Sequence, residues 1–431
     1  MHYSRQYIND YLWAGYLPPH HFTNEVFEYP EKSAVEYGYS TSEVSKIFDS
    51  IFSSIYDNSP SSNHIIPLSG GLDSRAILGA LLDRVDPKKI TTVTYGAPGQ
   101  LDYEIGQSVA KYANVKHHAI DLRKVSISWE SILESVQLSP WTGVPDAFFN
   151  QYALKQYSSE GDLIWTGFLG GLTGDFMLKS EDEDVEDDAS IIDSFIQRER
   201  RVSIRALCSE EYDPALFVGH DVRNKQTRIP LGGYLHYAIH NSCYTAPIVA
   251  PLGRWKNWCN ELGVLENNAK VIAPFANPEW AAYWLYSPRS VRKGSDLFYR
   301  MLKEKYSNLF LIPGKQNYWE MKEKNISNQT KRIFNSLKSR AQEHMPWMRL
   351  RAYHGKNYLD FDYMFRTRKD YQEVLDTAIK YLLVHNSTPW LDISELRNDH
   401  MKYRRNYGDI FCVLIGLAAN LKVNLFERST T

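Results

Sequence analysis

Asn63-His-Ile-Ile-Pro-Leu-Ser-Gly-Gly-Leu-Asp-Ser-Arg-Ala76 is the stretch on which the fold turns. A short apolar run (Ile65, Ile66, Leu68) meets small residues (Ser69, Gly70, Gly71), and an amphipathic helix then opens with Ala76, Ile77, Leu78, Ala80, Leu81 and Leu82. Strand, glycine turn and helix together gather backbone N–H groups at the positive end of a helix, an arrangement that binds phosphate. The two glycines allow positive φ and leave no Cβ between the backbone and an anion. Ser69 and Ser74 add hydroxyl donors. Asp73 would repel a bare phosphate, so it implies a Mg²⁺ ion between its carboxylate and the phosphate oxygens. A plain strand-to-helix turn capped by serine would account for the glycine pair alone. The whole block of residues 69–74 in this context favours nucleotide binding.

Composition narrows the remaining classes. At 431 residues the chain has room for two or three core-forming units or one large α/β body. With 49 Lys and Arg against 51 Asp and Glu the net charge is −2, so no broad field draws the chain to nucleic acid or to an anionic membrane. Cys208, Cys243, Cys259 and Cys412 form no Cys-x-x-Cys pair and no metal-ligand spacing, and they read as reduced thiols of a cytoplasmic protein. The first fifteen residues lack the apolar core of a secretory signal. The apolar run at residues 410–419 falls well short of the roughly twenty residues a membrane span needs, so it reads as a buried helix of a soluble protein.

Outward from the opening stretch, Val44, Ile47, Phe48, Ile51, Phe52 and Ile55 recur at helical spacing across residues 42–56. Residues 89–96 (Lys-Ile-Thr-Thr-Val-Thr-Tyr-Gly) are a β-branched run that reads as a second parallel strand. Asp102 and Glu104 then lead a helix with Ile105, Val109, Tyr112 and Ala113 on its apolar face, and residues 115–120 form a third strand. Strands alternating with helices imply right-handed βαβ units and a doubly wound, mostly parallel sheet with ligands at its carboxyl ends. His117 and His118 lie inside the third strand and read as satisfied or half-exposed histidines. Residues 163–165 make a fourth buried strand, followed by the glycine-rich turn Thr166-Gly-Phe-Leu-Gly-Gly-Leu-Thr-Gly-Asp175. The acidic run at residues 180–189 reads as a solvated loop, with binding of a basic leader peptide or partner protein as the alternative. Beyond residue 325 the chain is polar and helical, with Trp347, Trp390 and residues 410–419 as its anchors.

The block Ser69-Gly-Gly-Leu-Asp-Ser74 resembles the PP-loop of the ATP pyrophosphatases, in the form found in the synthetase domain of asparagine synthetase, β-lactam synthetase and the lasso-peptide cyclases. The resemblance implies an α/β fold of adenine nucleotide alpha-hydrolase-like type. It divides the chain into a short N-terminal segment (residues 1–60) without a glutaminase domain, an ATP-binding domain (residues 61–320), and a helical C-terminal part (residues 321–431). It implies ATP and Mg²⁺ as cofactors. Leu68, Ser69, Gly70, Gly71, Asp73, Ser74 and Gly167 would surround the phosphates, and Thr94, Tyr95 and Gly96 the adenine. Asp73 and Asp175 would hold the metal. Lys315, with Lys322 as the other candidate, would set a cation over the phosphates beside Asp73 as the catalytic groups.

The chain also departs from the family pattern. Phe168 and Gly171 stand where that pattern has an acid–base residue and a second aspartate, and Lys270 and Asn277 stand where it has glutamate and aspartate beside Pro274 and Phe275. A phenylalanine moves no proton. The implied activity is a ligase that adenylates a small-molecule or peptide carboxylate and passes the acyl group to an amine donor or ammonia without glutamine hydrolysis. A non-catalytic ATP-binding scaffold among pathway partner proteins is the second reading. A tRNA-modifying PP-loop enzyme is the third, and it lacks the basic face or cysteine pairs such an enzyme would show.

Overall fold

The protein is described from a computed structural model. It describes residues 4–15, 37–58, 63–138, 146–174, 207–217, 263–314, 344–349 and 359–429 apart from Glu266, with a few isolated positions between them. Asp175, Lys315, Lys322, Cys243, Cys259 and nearly all of residues 180–189 lie outside the described residues.

A six-stranded sheet in the order β3-β2-β1-β4-β6-β5 carries the site. β1 (His64–Pro67), β2 (Ile90–Gly96), β3 (Lys116–Asp121), β4 (Leu163–Trp165) and β6 (Lys270–Ile272) run parallel, and β5 (Gly263–Val264) pairs antiparallel to β6 at the edge. The central strands are buried on both faces, which explains why they read as continuous apolar runs rather than alternating ones. β1 pairs with β2 on one side (Ile65 with Thr91) and with β4 on the other (Ile65 with Ile164). The chain leaves β1 toward β2 and β3, then returns to lay β4 on β1's other side. The strand order therefore reverses between β1 and β4, and such a reversal opens a crevice at the carboxyl ends of the two strands.

Helices cover both faces. α1 (Arg5–Ala14) begins at an N-cap, Ser4, whose hydroxyl accepts from Tyr7 N–H. α2 (Thr41–Asn58) lays Phe52 flat on Trp165, ring centroids 5.8 Å apart, and sets Phe48 edge-on to Trp280 at 5.9 Å. α3 (Leu72–Leu82) is buried nearly all round, with Ala76, Ile77, Leu78, Ala80 and Leu81 at 0% exposure, so its apolar composition reflects a place inside the body. α4 (Leu101–Ala113) ends on Asn114 in the left-handed region (φ 53°), a residue type that tolerates it. α5 (Trp129–Leu138) and α6 (Asp146–Lys155) lead into β4. After β6, Asn277 accepts from Glu279 N–H and Trp280 N–H and so caps α7 (Pro278–Leu285), which gives the residue at that departure from the family pattern a structural task. α8 (Asp296–Lys305) returns to α2 through Lys305, whose Nζ lies 2.7 Å from Asp49.

The C-terminal helices α9 (Phe361–Thr367), α10 (Lys369–Val384), α11 (Ile393–Met401) and α12 (Gly408–Ser429) close on the same core, a single cluster of described residues that includes Ile8 and Val423. The run at residues 410–419 is buried along α12, and Asn420 on that helix accepts from Trp141 N–H at 2.6 Å. Among the described residues no helix is long and apolar enough to cross a membrane. Trp390 anchors as expected through Nε1 to Leu207 O at 2.9 Å. Trp347 does not: 65% of it is exposed, because the turn that carries it (Pro346–Met348) buries only Pro346.

Candidate nucleotide site

Two loops meet at the crevice, one after β1 (residues 68–74) and one after β4 (residues 166–174). The first is held by hydrogen bonds. Leu68 N–H donates to Val93 O at 2.8 Å, prolonging the sheet by one residue. Ser69 N–H donates to Ser74 Oγ (3.2 Å), the two serine hydroxyls lie 3.3 Å apart, and Gly71 N–H donates to Ser69 Oγ (3.2 Å). Gly70 N–H donates to Asp102 Oδ1 on α4 at 2.9 Å. Neither Gly70 nor Gly71 takes positive φ, and Gly71 sits at φ −75°. The expectation that they serve left-handed backbone is therefore corrected. Gly70 is glycine because α4 presses on it: a Cβ there would lie 2.9 Å from Ile105 Cδ1 and 3.2 Å from Asp102 Oδ1.

Asp73 stands in the first turn of α3, half-buried, and the second loop lies across it. A Cβ at Gly167 would be 3.1 Å from Asp73 Cβ, and one at Gly170 would overlap the carboxylate itself. The second loop thus brings bare backbone against Asp73. It reaches that position through Leu169, a buried branched residue held at φ 61°, ψ 4°. Left-handed backbone at such a residue costs about 1–2 kcal/mol and concentrates at functional sites. A single helical turn follows (Gly170–Thr173), closed by Thr173 Oγ1 on Gly170 O at 2.9 Å. Phe168 is half-buried and leans on the core.

β2 runs three residues past Val93, the last of its residues to pair with β1, at Pro67. Thr94, Tyr95 and Gly96 pair with Ala119, Ile120 and Asp121 of β3, while their β1-side edge faces the first loop. Thr94 is buried and its hydroxyl donates to Leu68 O at 2.6 Å. Tyr95 OH donates to Asn150 Oδ1 of α6. The expected nucleotide residues 68–71, 73, 74, 94–96 and 167 are thus gathered at one crevice. Lys270 is not among them: it is exposed and pairs with Leu163 at the opposite, amino end of the sheet. His117 and His118 lie within the outer strand. The first shares a 2.9 Å hydrogen bond with Thr92, the second stacks on Tyr157 at 3.9 Å, and burial lowers the affinity of both rings for a proton.

Arg75 escaped the sequence reading. It is 1% exposed, and its guanidinium donates to Ile312 O (2.7 Å), Pro313 O (3.0 Å) and, more weakly, Gly70 O (3.4 Å). Burial lowers its pKa to about 10, which leaves it cationic at neutral pH, so a fixed positive charge lies beneath the first loop. The signal was present in the sequence: a guanidinium following Ser74 and leading Ala76, Ile77 and Leu78 must find acceptors inside the protein.

The donor set suits a polyphosphate. Backbone N–H groups and serine hydroxyls converge at the N-terminus of α3, above a buried arginine. A Mg²⁺ ion also fits, because it takes one or two carboxylates and fills the rest of its shell with phosphate oxygens and water. Asp73 is the carboxylate in place. No cluster of three or more His, Cys, Asp or Glu side chains that would make an all-protein metal cage occurs among the described residues.

Residues 66–135 match the family model described as asparagine synthase. Over this segment the chain is similar to the asparagine synthase family. The asparagine synthase segment takes in the first loop, Thr94, Tyr95, Gly96 and Asp102, and ends ahead of β4. Its family is one of ATP-dependent, amide-forming ligases. No curated protein matches the chain.

Proposed function

We propose that the protein is an ATP-dependent ligase that adenylates a carboxylate and passes the acyl group to an amine or to ammonia. The observation that carries this reading is the first loop at the β1–β4 reversal, with the asparagine synthase match across it and its Asp73 lying against the second loop. In this reading residues 69–74 hold the β- and γ-phosphates, and Thr94, Tyr95 and Gly96 receive the adenine. Asp73 holds Mg²⁺, joined by Asp175 in the continuation of the second loop. Mg²⁺, when bound, would neutralise charge on the phosphate oxygens. Lys315, in the chain that continues from the segment Arg75 clamps, is the proposed cation over the phosphates.

The chemistry then balances in two displacements. A carboxylate oxygen of the acid attacks the α-phosphorus, a P–O bond forms, and the bond to pyrophosphate breaks. The amine nitrogen then attacks the acyl carbon, a C–N bond forms, the C–O bond to AMP breaks, and nitrogen loses its proton to solvent. The residues here supply position and charge compensation rather than covalent help. With Phe168 in the second loop, the amine enters as its free base, so the pH dependence of turnover follows the pKa of the amine supplied. The same phenylalanine, with Gly171, favours a second reading in which the chain binds ATP without turnover, as a scaffold for partner proteins.

One assay separates the two readings. The full chain is incubated with ATP, Mg²⁺ and pools of carboxylic acids with amines, and AMP and pyrophosphate are measured against ADP and phosphate. AMP and pyrophosphate in equal amounts, dependent on an acid, support the ligase. ATP binding without either product across the pools supports the scaffold. No ATP binding overturns both.

A further inference from the structure

In the first loop, every backbone N–H from Ser69 to Gly71 has an acceptor within the protein, and the acceptors differ in kind. Ser69 N–H and Gly71 N–H rest on serine hydroxyls. A hydroxyl yields easily to a phosphate oxygen, because it is neutral and can rotate to donate to the anion it makes way for. Gly70 N–H rests instead on the carboxylate of Asp102, at 2.9 Å. A carboxylate cannot donate, and it repels any anion that approaches the same N–H.

Its position is set by packing. Asp102 lies in the first turn of α4, and that helix is seated against the loop at two places where a side chain would not fit. A Cβ on Gly70 would lie 2.9 Å from Ile105 Cδ1, and one on Gly106 would lie 2.7 Å from Leu68 O. The helix that delivers Asp102 therefore cannot draw back without opening both contacts. The loop is flanked by two carboxylates on two helices, Asp73 at the head of α3 and Asp102 at the head of α4. A polyphosphate that reaches the loop without a cation meets both carboxylates, with Arg75 as the buried cation beneath the loop among the described residues.

We propose that Asp102 is a specificity-determining residue that makes anion binding at the first loop conditional on a divalent cation, admitting metal-complexed polyphosphate and turning away free phosphate, pyrophosphate and metal-free nucleotide. The inference rests on the nucleotide site proposed above and adds to it the form of the ligand that the site accepts. Asp102 acts on ligand entry and touches no reacting atom.

The test compares the full-length wild-type chain with Asp102→Asn, whose side-chain oxygen can still accept from Gly70 N–H while the charge is gone. Pyrophosphate and ATP are titrated by calorimetry in Mg²⁺ and again in EDTA. The wild type is expected to bind both probes at least about tenfold more tightly with Mg²⁺ than without. In Asp102→Asn the metal-free affinity rises by about tenfold and the Mg²⁺ affinity moves much less, so that the gap narrows. Asp102→Ser, which keeps a neutral acceptor, serves where thermal unfolding shows that the asparagine variant has lost its fold. Equal metal-free affinities in wild type and a folded variant overturn the inference and leave the nucleotide site standing. Tight metal-free binding by the wild type also overturns the inference alone. Failure of the wild type to bind ATP in Mg²⁺ overturns the site and the inference together.

Discussion

The loop after β1 and the loop after β4 face each other across one crevice, yet different forces hold them in place. Residues 68–74 are fixed by hydrogen bonds among Ser69, Gly71 and Ser74 and from Gly70 N–H to Asp102. Residues 166–174 have hydrogen bonds too, mostly backbone to backbone, and are placed by packing, with Phe168 on the core and Gly170 pressed on Asp73. A hydrogen-bonded loop writes itself into residue type, since only certain side chains can accept from a backbone N–H. A packed loop depends on what it touches, and its neighbours come from elsewhere in the chain. The first loop is also the one that can rearrange its donors around an anion, while the second is shaped to keep one side chain in place.

Breaking the group both loops share gives the largest effect. Asp73→Asn keeps the size and removes the charge. It is expected to lower pyrophosphate-forming turnover by about 100-fold or more, with a far smaller change in thermal unfolding. Enlarging the second loop where it meets Asp73 comes next. Gly170→Ala sets a methyl group into the carboxylate, and overpacking of this kind costs about 1–3 kcal/mol, read as a fall in the urea midpoint together with weakened ATP binding. Gly314→Ala is its control. Among the described residues, chain neighbours apart, no atom lies within 4 Å of a Cβ at Gly314, and its effect should stay within about 0.5 kcal/mol. If both glycine variants behave alike, the second loop does not hold Asp73 as described.

The same contrast explains what could be read in advance. All four strands expected from sequence occur within a residue or two of their places, because runs such as Ile90–Gly96 are apolar, β-branched and bounded by turn residues. The first loop was legible for the same local reason. Asp102 was seen as a helix leader and its reach to Gly70 was not, since that contact spans 32 residues and exists only once β1 and β2 are paired. Thr94 was assigned to the adenine by resemblance, and nothing local showed that its hydroxyl ties β2 to the end of β1. Trp347 was taken for an anchor because tryptophan is usually buried, whereas here a short turn leaves it in solvent. Of the two properties expected of the first loop's glycines, positive φ occurs at neither, and the missing side chain matters at Gly70, where it admits α4.

Thr94 offers a finer cut at the first loop. Thr94→Val keeps the shape and deletes the hydroxyl that donates to Leu68 O, which removes a buried hydrogen bond on the residue that leads into the loop. A loss of about 1.5 kcal/mol in chemical unfolding is expected, with ATP binding weakened less than in Gly170→Ala. A larger loss of binding than of stability would show that the loop's own bonds cannot hold it without support from β2.

The smallest expected effect lies beneath both loops, where His64 of β1 accepts from Trp165 Nε1 of β4 at 3.0 Å. The acceptor nitrogen must be unprotonated, and burial, with Lys89 nearby, lowers the ring's pKa from 6.5 to about 4. In the unfolded chain the ring takes up a proton near its ordinary pKa, so between pH 6.5 and 4 the unfolded state binds more protons than the folded one. Stability therefore falls as the pH drops through that window and is constant above it. Between pH 7.5 and 5.5 the loss assigned to His64 is about 1 kcal/mol. His117, whose pKa is also lowered to about 4, adds a slope of the same sign in the outer strand, so the measurement is a difference between wild type and His64→Gln. Glutamine can accept from the indole without titrating. The variant should lose less stability on acidification than the wild type by about that amount, while its ATP affinity at pH 7.5 stays close to normal. Equal slopes would mean that the ring charges in place and that the strands under the two loops separate there before the protein unfolds. A slope difference confined to unfolding would show that the β1–β4 crevice is held open by the sheet itself, with each loop added to it by its own means.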